Sequence, residues 1–143
     1  MPLHAHEAVD PVTQFLRTSV GNFFIVFLGG GIGAAARYWL SGTIARTSGI
    51  AFPLGTITVN IVGCFLIGFL MTSFENRFLV TPSLRLFLTI GILGGFTTFS
   101  TFAYETIAME IDAEFFYAAV NVLLSMVMCL AATYAGTIVG KYI

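Results

Sequence analysis

The sequence predicts an all-α integral membrane protein with four transmembrane helices, the third of them broken near Gly94-Gly95. Three observations carry that expectation. The 143 residues are 57% hydrophobic and only 9% charged, against roughly 25% charged in an average soluble domain, and the mean hydropathy is +0.94. The apolar residues fall into four blocks, each long enough for the roughly 20 residues that cross a bilayer as a helix. Inside the third block, residues 94–102 read GGFTTFSTF. There two glycines, the weakest helix formers after proline, precede hydroxyls and aromatic rings.

The first twenty residues, MPLHAHEAVDPVTQFLRTSV, lack a cationic segment followed by an apolar block and a cleavage site, so they do not read as a secretory signal. Residues 1–21 are expected to form a flexible extension, and residues 22–143 a four-helix transmembrane domain. The His4 and His6 pair reads as part of a solvated tail rather than a metal site. The first span is expected from about Asn22 to Ile44. The second runs from Pro53, at a first helical position where its missing N–H costs nothing, to about Phe74. The third opens on the cap pair Thr81-Pro82 and reaches about Met109. After the acidic connection EIDAE, the fourth covers about Phe115 to Tyr142.

Glycines recur four apart at Gly29 and Gly33, Gly91 and Gly95, and Gly136 and Gly140. Such spacing lets helix backbones approach where lipid removes the hydrophobic drive to associate. Four single helices can hardly enclose an aqueous path, so a homo-oligomer, most simply a dimer, is expected. Cys64 and Cys129 have no CxxC or Cys/His spacing and read as small packing residues. With net charge −1 and no basic run, nothing points to nucleic acid as a partner. Placing the N-terminus, second connection and C-terminus on one side puts Arg17, Arg77, Arg85 and Lys141 there against Arg37 and Arg46. So small an excess orients the chain only weakly.

Polar residues inside spans are functional candidates by default. Asn60 sits mid-span with Thr56 one turn before it. Its amide either bonds across helices or offers two N–H donors to an anion in a water-accessible path. Tyr117, Asn121, Ser125 and Cys129 are spaced four apart and share one helix face, which is either a polar track or a hydrogen-bonded seam. Arg37 either anchors its helix or draws anions into a vestibule, and Glu105 is open to a structural role. In GGFTTFSTF, a broken helix is tolerated in hydrocarbon only where protein, water or an ion meets the freed backbone groups. Phe99 and Phe102, three apart, could present positive ring edges to an anion.

On these residues the chain resembles the CrcB/Fluc family of fluoride channels: GGGIGAAARYWL, PLGTITVNIVGCFLIGF, GILGGFTTFSTFAYET and NVLLS, in that order. The resemblance covers nearly everything from about Phe23 onward. It implies an antiparallel, dual-topology homodimer in the bacterial inner (plasma) membrane, with fluoride pores along the subunit interface. Its role would be passive fluoride efflux and resistance to fluoride toxicity. By motif position it implies that Asn60, Thr56, Thr101, Phe99, Phe102, Ser125 and Asn121 line the pore, with Arg37 and Glu105 in vestibule or structural roles. It further implies a structural sodium ion on the dimer axis, held by the backbone carbonyls of Gly94 and Thr97. Asn121 stands where some relatives carry tyrosine, and Cys129 where some carry serine.

A proton-coupled exporter of the small multidrug type is the alternative, but it would need an acid in the first span, which holds Arg37 instead. Ser100 suggests an intramembrane hydrolase. That reading lacks a base, because both histidines lie in the extension, so no enzyme is expected.

Overall fold

Backbone polar groups find no water in the bilayer core, so a spanning chain must satisfy them internally. This chain does so almost wholly with helices. The computed structural model describes residues 11–49, 51–76 and 80–142. Among them, four helical stretches are long and apolar enough to cross a membrane: Thr18–Ser48, Leu54–Glu75, Pro82–Ile111 and Phe115–Tyr142.

Helix α1 (Pro11–Ser48) overruns both expected ends of the first span. No glycine or proline interrupts residues 12–20, and Pro11 is tolerated in the first turn. Residues 11–21, expected as flexible extension, are therefore helical, while His4 and His6 lie outside the described residues. The side chains of Arg17 and Arg77, two of the charges in the orientation count, also lie outside the described residues. Helix α2 (Leu54–Asn76) begins one residue later than expected. The carbonyl of Pro53 accepts from the N–H of Ile57 at 3.1 Å, so the proline caps the helix rather than occupying its first turn.

The third span is composite. Helix α3 (Pro82–Leu86) starts as expected, with Thr81 accepting from the N–H of Leu84 at 3.3 Å and Pro82 following it. A π-helical segment, π1 (Phe87–Leu93), then leads into the single turn α4 (Gly94–Phe96). Nothing in the sequence pattern signals the π turn. The glycines are helical; the extended residues are Thr97 (φ −80°, ψ 157°) and Thr98 (φ −150°, ψ 112°). The interruption thus falls two residues beyond Gly95. Helix α5 (Phe99–Ile111) completes the span.

In the connection to α6 (Phe115–Tyr142), Ala113 is left-handed at φ 62°. The N–H of Glu114 reaches Met109 O at 2.8 Å and that of Ala113 reaches Glu110 O at 3.1 Å. This pair of bonds is the glycine-type helix stop built on an alanine.

Two pairings organise the bundle: α2 lies along α6, and α1 lies against π1 and α4. Glycines set both approaches. A Cβ on Gly33 would collide with the carbonyl of Ile92, and one on Gly136 with the carbonyl of Phe65. The buried apolar side chains are few, among them Ile57, Val59, Leu93, Phe96 and Phe102. Large apolar side chains such as Phe23, Phe27, Trp39, Leu123 and Leu130 point outward, as a lipid solvent allows.

Gly136→Val should destabilise the fold by about 1–3 kcal/mol or more, because overpacking meets backbone rather than a flexible side chain. Gly21→Ala, with nothing within 4 Å, should leave stability within about 1 kcal/mol, the helix-propensity difference. Ala113→Gly should stabilise by about 1 kcal/mol, since a left-handed L-residue costs roughly 1–2 kcal/mol. Steric-trap unfolding in bicelles measures all three.

A candidate site at the interruption of the third span

The interruption leaves backbone groups without helical partners, and side chains meet those of Thr98 and Thr101. The N–H of Thr98, which in a continuous helix would bond Gly94 O, instead donates to Asn60 Oδ1 at 2.8 Å. Asn60 Nδ2 donates in return to Thr98 O at 3.0 Å. One side-chain amide thereby pairs with one peptide unit as a neighbouring strand would. Thr98 also caps α5: its hydroxyl accepts from the N–H of Thr101 at 3.2 Å and donates to Thr101 Oγ1 at 2.9 Å. That N–H would otherwise bond Thr97 O. The carbonyls of Gly94 and Thr97 are therefore among those that lose their helical donors, the first to Asn60 and the second to the Thr98 hydroxyl. Thr97 itself stays tied to the preceding turn, its N–H and hydroxyl both reaching Leu93 O, at 3.0 and 2.9 Å.

A cavity of about 380 Å³ opens beside this pairing. The α2 face contributes Asn60, Gly63, Cys64 and Ile67, at the i, i+3, i+4, i+7 spacing of one helix stripe. The third span contributes Gly94, Thr97, Thr98, Phe99 and Phe102, and α6 contributes Ser125, Met126 and Cys129. No charged side chain is among the lining residues. The rings of Phe99 and Phe102 are 5.5 Å apart between centroids and inclined at 47°, so their faces do not stack. Phe102 is 9% exposed and Phe99 75%. The Ser125 hydroxyl is buried with no hydrogen-bond partner among the described residues.

Four expected pore residues, Asn60, Phe99, Phe102 and Ser125, thus meet in one cavity together with Gly94 and Thr97. Three do not line it. Thr56 and Thr101 lie beyond the Thr98 pairing, in two adjoining compartments of about 560 and 300 Å³ that they share with Ser41. Arg37 lines the smaller and Glu105 the larger. Thr56 donates to Glu105 Oε1 at 2.9 Å, and Glu105 Oε2 is buried without a partner among the described residues. Asn121 is fully buried between α5 and α6. Its Nδ2 donates to Thr106 Oγ1 at 2.8 Å, and that hydroxyl donates to Phe102 O at 2.8 Å. The α6 face therefore splits: Ser125 and Cys129 face the cavity, Asn121 braces Phe102, and Tyr117 sits in a separate pocket beside Phe52. Sequence reasoning missed Thr98 and Thr106 as partners of the two asparagines. Thr98 is of a residue type favoured at helix N-caps, which was a visible signal; Thr106 had none.

Comparison with known proteins places these features in a family. Residues 24–137 match the family described as "CrcB-like protein, Camphor Resistance (CrcB)". The chain belongs to the CrcB family. Among CrcB relatives, the "Fluoride-specific ion channel FluC" of Geobacter sulfurreducens is 50% identical over 112 residues, covering 78% of this chain and 90% of its own. That of Geotalea daltonii is 49% identical over 121 residues, 83% and 98% of the two chains. The corresponding Methylocella silvestris protein is 42% identical over 121 residues, 83% and 92%. The CrcB match takes in every residue of the cavity and all four spans except the start of α1 and the last five residues of α6, and the protein is a multi-pass membrane protein.

Asn60→Ala removes both partners of the Thr98 peptide unit. At about 1–3 kcal/mol for each buried group left unpaired, the loss should be about 2–6 kcal/mol by steric-trap unfolding. Stability equal to wild type would mean that water or lipid meets Thr98.

Proposed function

We propose that this protein is a fluoride-selective channel through which cytoplasmic fluoride leaves the cell passively, giving resistance to fluoride toxicity. The observation that carries the reading is the convergence of Asn60, Phe99, Phe102 and Ser125 on an uncharged cavity, in a chain about half identical to proteins named fluoride-specific channels. Fluoride is small and holds its water strongly, so a conducting path must offer close donors without trapping the ion. The second N–H of Asn60, the unpartnered Ser125 hydroxyl and the phenylalanine ring edges are neutral donors of that kind. A lysine or arginine there would hold the ion too well, since unit charges 4 Å apart attract by about 4 kcal/mol at an effective dielectric of 20.

The driving force needs no further machinery. A potential of about 100 mV, negative inside, is worth about 2.3 kcal/mol per charge, roughly a fifty-fold outward bias for a monovalent anion. Transport, not catalysis, is the activity assigned. The proposed assembly is an antiparallel homodimer of dual topology in the bacterial inner membrane. The exposure of Phe99 and Gly94 beside an open cavity supports a second copy completing the path. The proposed structural sodium fits the donor set: the Gly94 and Thr97 carbonyls have lost their helical donors, and hard cations favour oxygen ligands, backbone carbonyls among them. When bound, sodium would supply positive charge to the interrupted turn.

Fluoride-loaded liposomes carrying the protein test the reading, with efflux started by valinomycin and read by an ion-selective electrode. Fast fluoride release with negligible chloride release is expected; none from folded protein would overturn it. Asn60→Asp keeps the acceptor for the Thr98 N–H, loses the donor to Thr98 O and adds a negative charge to the path, so the variant should be less stable and the fraction that still folds and assembles should conduct no fluoride. Phe99→Ile and Phe102→Ile should each slow efflux by tenfold or more, and normal rates through both would remove the ring-edge role.

A further inference from the structure

Asn60, Cys64 and Gly68 follow one another at four-residue steps on α2, as Ser125, Cys129 and Thr133 do on α6, and steps of four stack on one helix face. The two rows are in register. A Cβ on Gly68 would strike the carbonyl of Thr133, so the backbones touch at one end of this ladder. Asn60 and Ser125 face the same cavity at the other end. Between them stand Cys64 and Cys129, both free, both half-buried and both lining the cavity. Sequence spacing read them as unrelated packing residues; the helix register brings them together.

We propose that Cys64 and Cys129 form a two-coordinate site for a soft, thiophilic metal ion in the cavity wall, and that its occupancy blocks anion passage. Thiolates select soft cations such as Cu(I). No third histidine, cysteine, aspartate or glutamate joins the pair among the described residues, so a tetrahedral zinc site lacks protein ligands. A monovalent d10 cation that accepts two thiolates fits. Binding is a substitution without redox change: M⁺ and two thiols give a bis-thiolate complex of charge −1 and two protons, which leave to water through the open cavity. The fixed negative charge then stands one turn from Asn60 and Ser125, where it repels a passing anion. The blocking half of the proposal rests on the channel reading above; the site itself does not.

Silver nitrate in chloride-free buffer is the probe. Equilibrium dialysis of purified protein should give one silver ion per chain, and fluoride efflux from liposomes should fall at least tenfold at that loading and recover after dithiothreitol. Cys64→Ser and Cys129→Ser should each raise the half-blocking concentration at least tenfold, with flux referred to each variant's own untreated rate. If a variant misfolds, wild-type protein capped reversibly with methyl methanethiosulfonate serves instead and should bind less than a tenth of a silver ion per chain. Single-cysteine variants that bind and block like wild type would overturn the paired site. Full silver loading with unchanged efflux would overturn the block alone, and because dialysis reads the site without flux, failure of the channel reading stays distinguishable from failure of the site.

Discussion

One constraint shapes the rest of this molecule: two consecutive residues, Thr97 and Thr98, are extended in a span that must cross hydrocarbon. An unpaired peptide group there costs several kcal/mol. The Asn60 side chain removes that cost by pairing with both polar groups of Thr98, and it can do so only because α2 holds it level with the interruption. Close glycine-mediated packing of α2 on α6, and of α1 on the turns before the interruption, fixes that level. A single mid-membrane amide is thus as much a backbone partner as a wall of the cavity.

The same pairing divides the interior. Thr98 faces both the cavity of Phe99 and Phe102 and the compartment of Arg37, so the charged residues stand on one side of a hydrogen-bonded partition and the uncharged cavity on the other. In a medium of low dielectric that separation matters, because a charge within a few ångströms of a passing ion would dominate every neutral donor. The chain from Asn121 through Thr106 to Phe102 extends the logic to α6, where a buried amide fixes the backbone that carries a cavity ring.

Much of this was legible in the sequence, for physical reasons. Hydropathy and cap residues located the four spans, since lipid leaves few alternatives to a helix of about twenty residues; Thr81-Pro82 and Phe115 stand where expected. Motif order identified the family, and spacing placed Asn60, Phe99, Phe102 and Ser125 on plausible faces. What escaped reading depends on distance in three dimensions. The glycine pair suggested a break at itself, yet Gly95 is small because it presses on Gly30, and the extended residues follow it. The π turn has no compositional signature. Thr106, the partner of Asn121, sits on a different helix, as do the cavity neighbours Cys64 and Cys129, and only packing brings them together.

The central claim is that Asn60 holds the interrupted peptide of Thr98, and solid-state NMR of the labelled protein in lipid bilayers tests it most directly. The account predicts a Thr98 amide proton protected from exchange, although it belongs to no helix, together with a through-bond correlation to the Asn60 side chain. A freely exchanging Thr98 amide with no such correlation would contradict it.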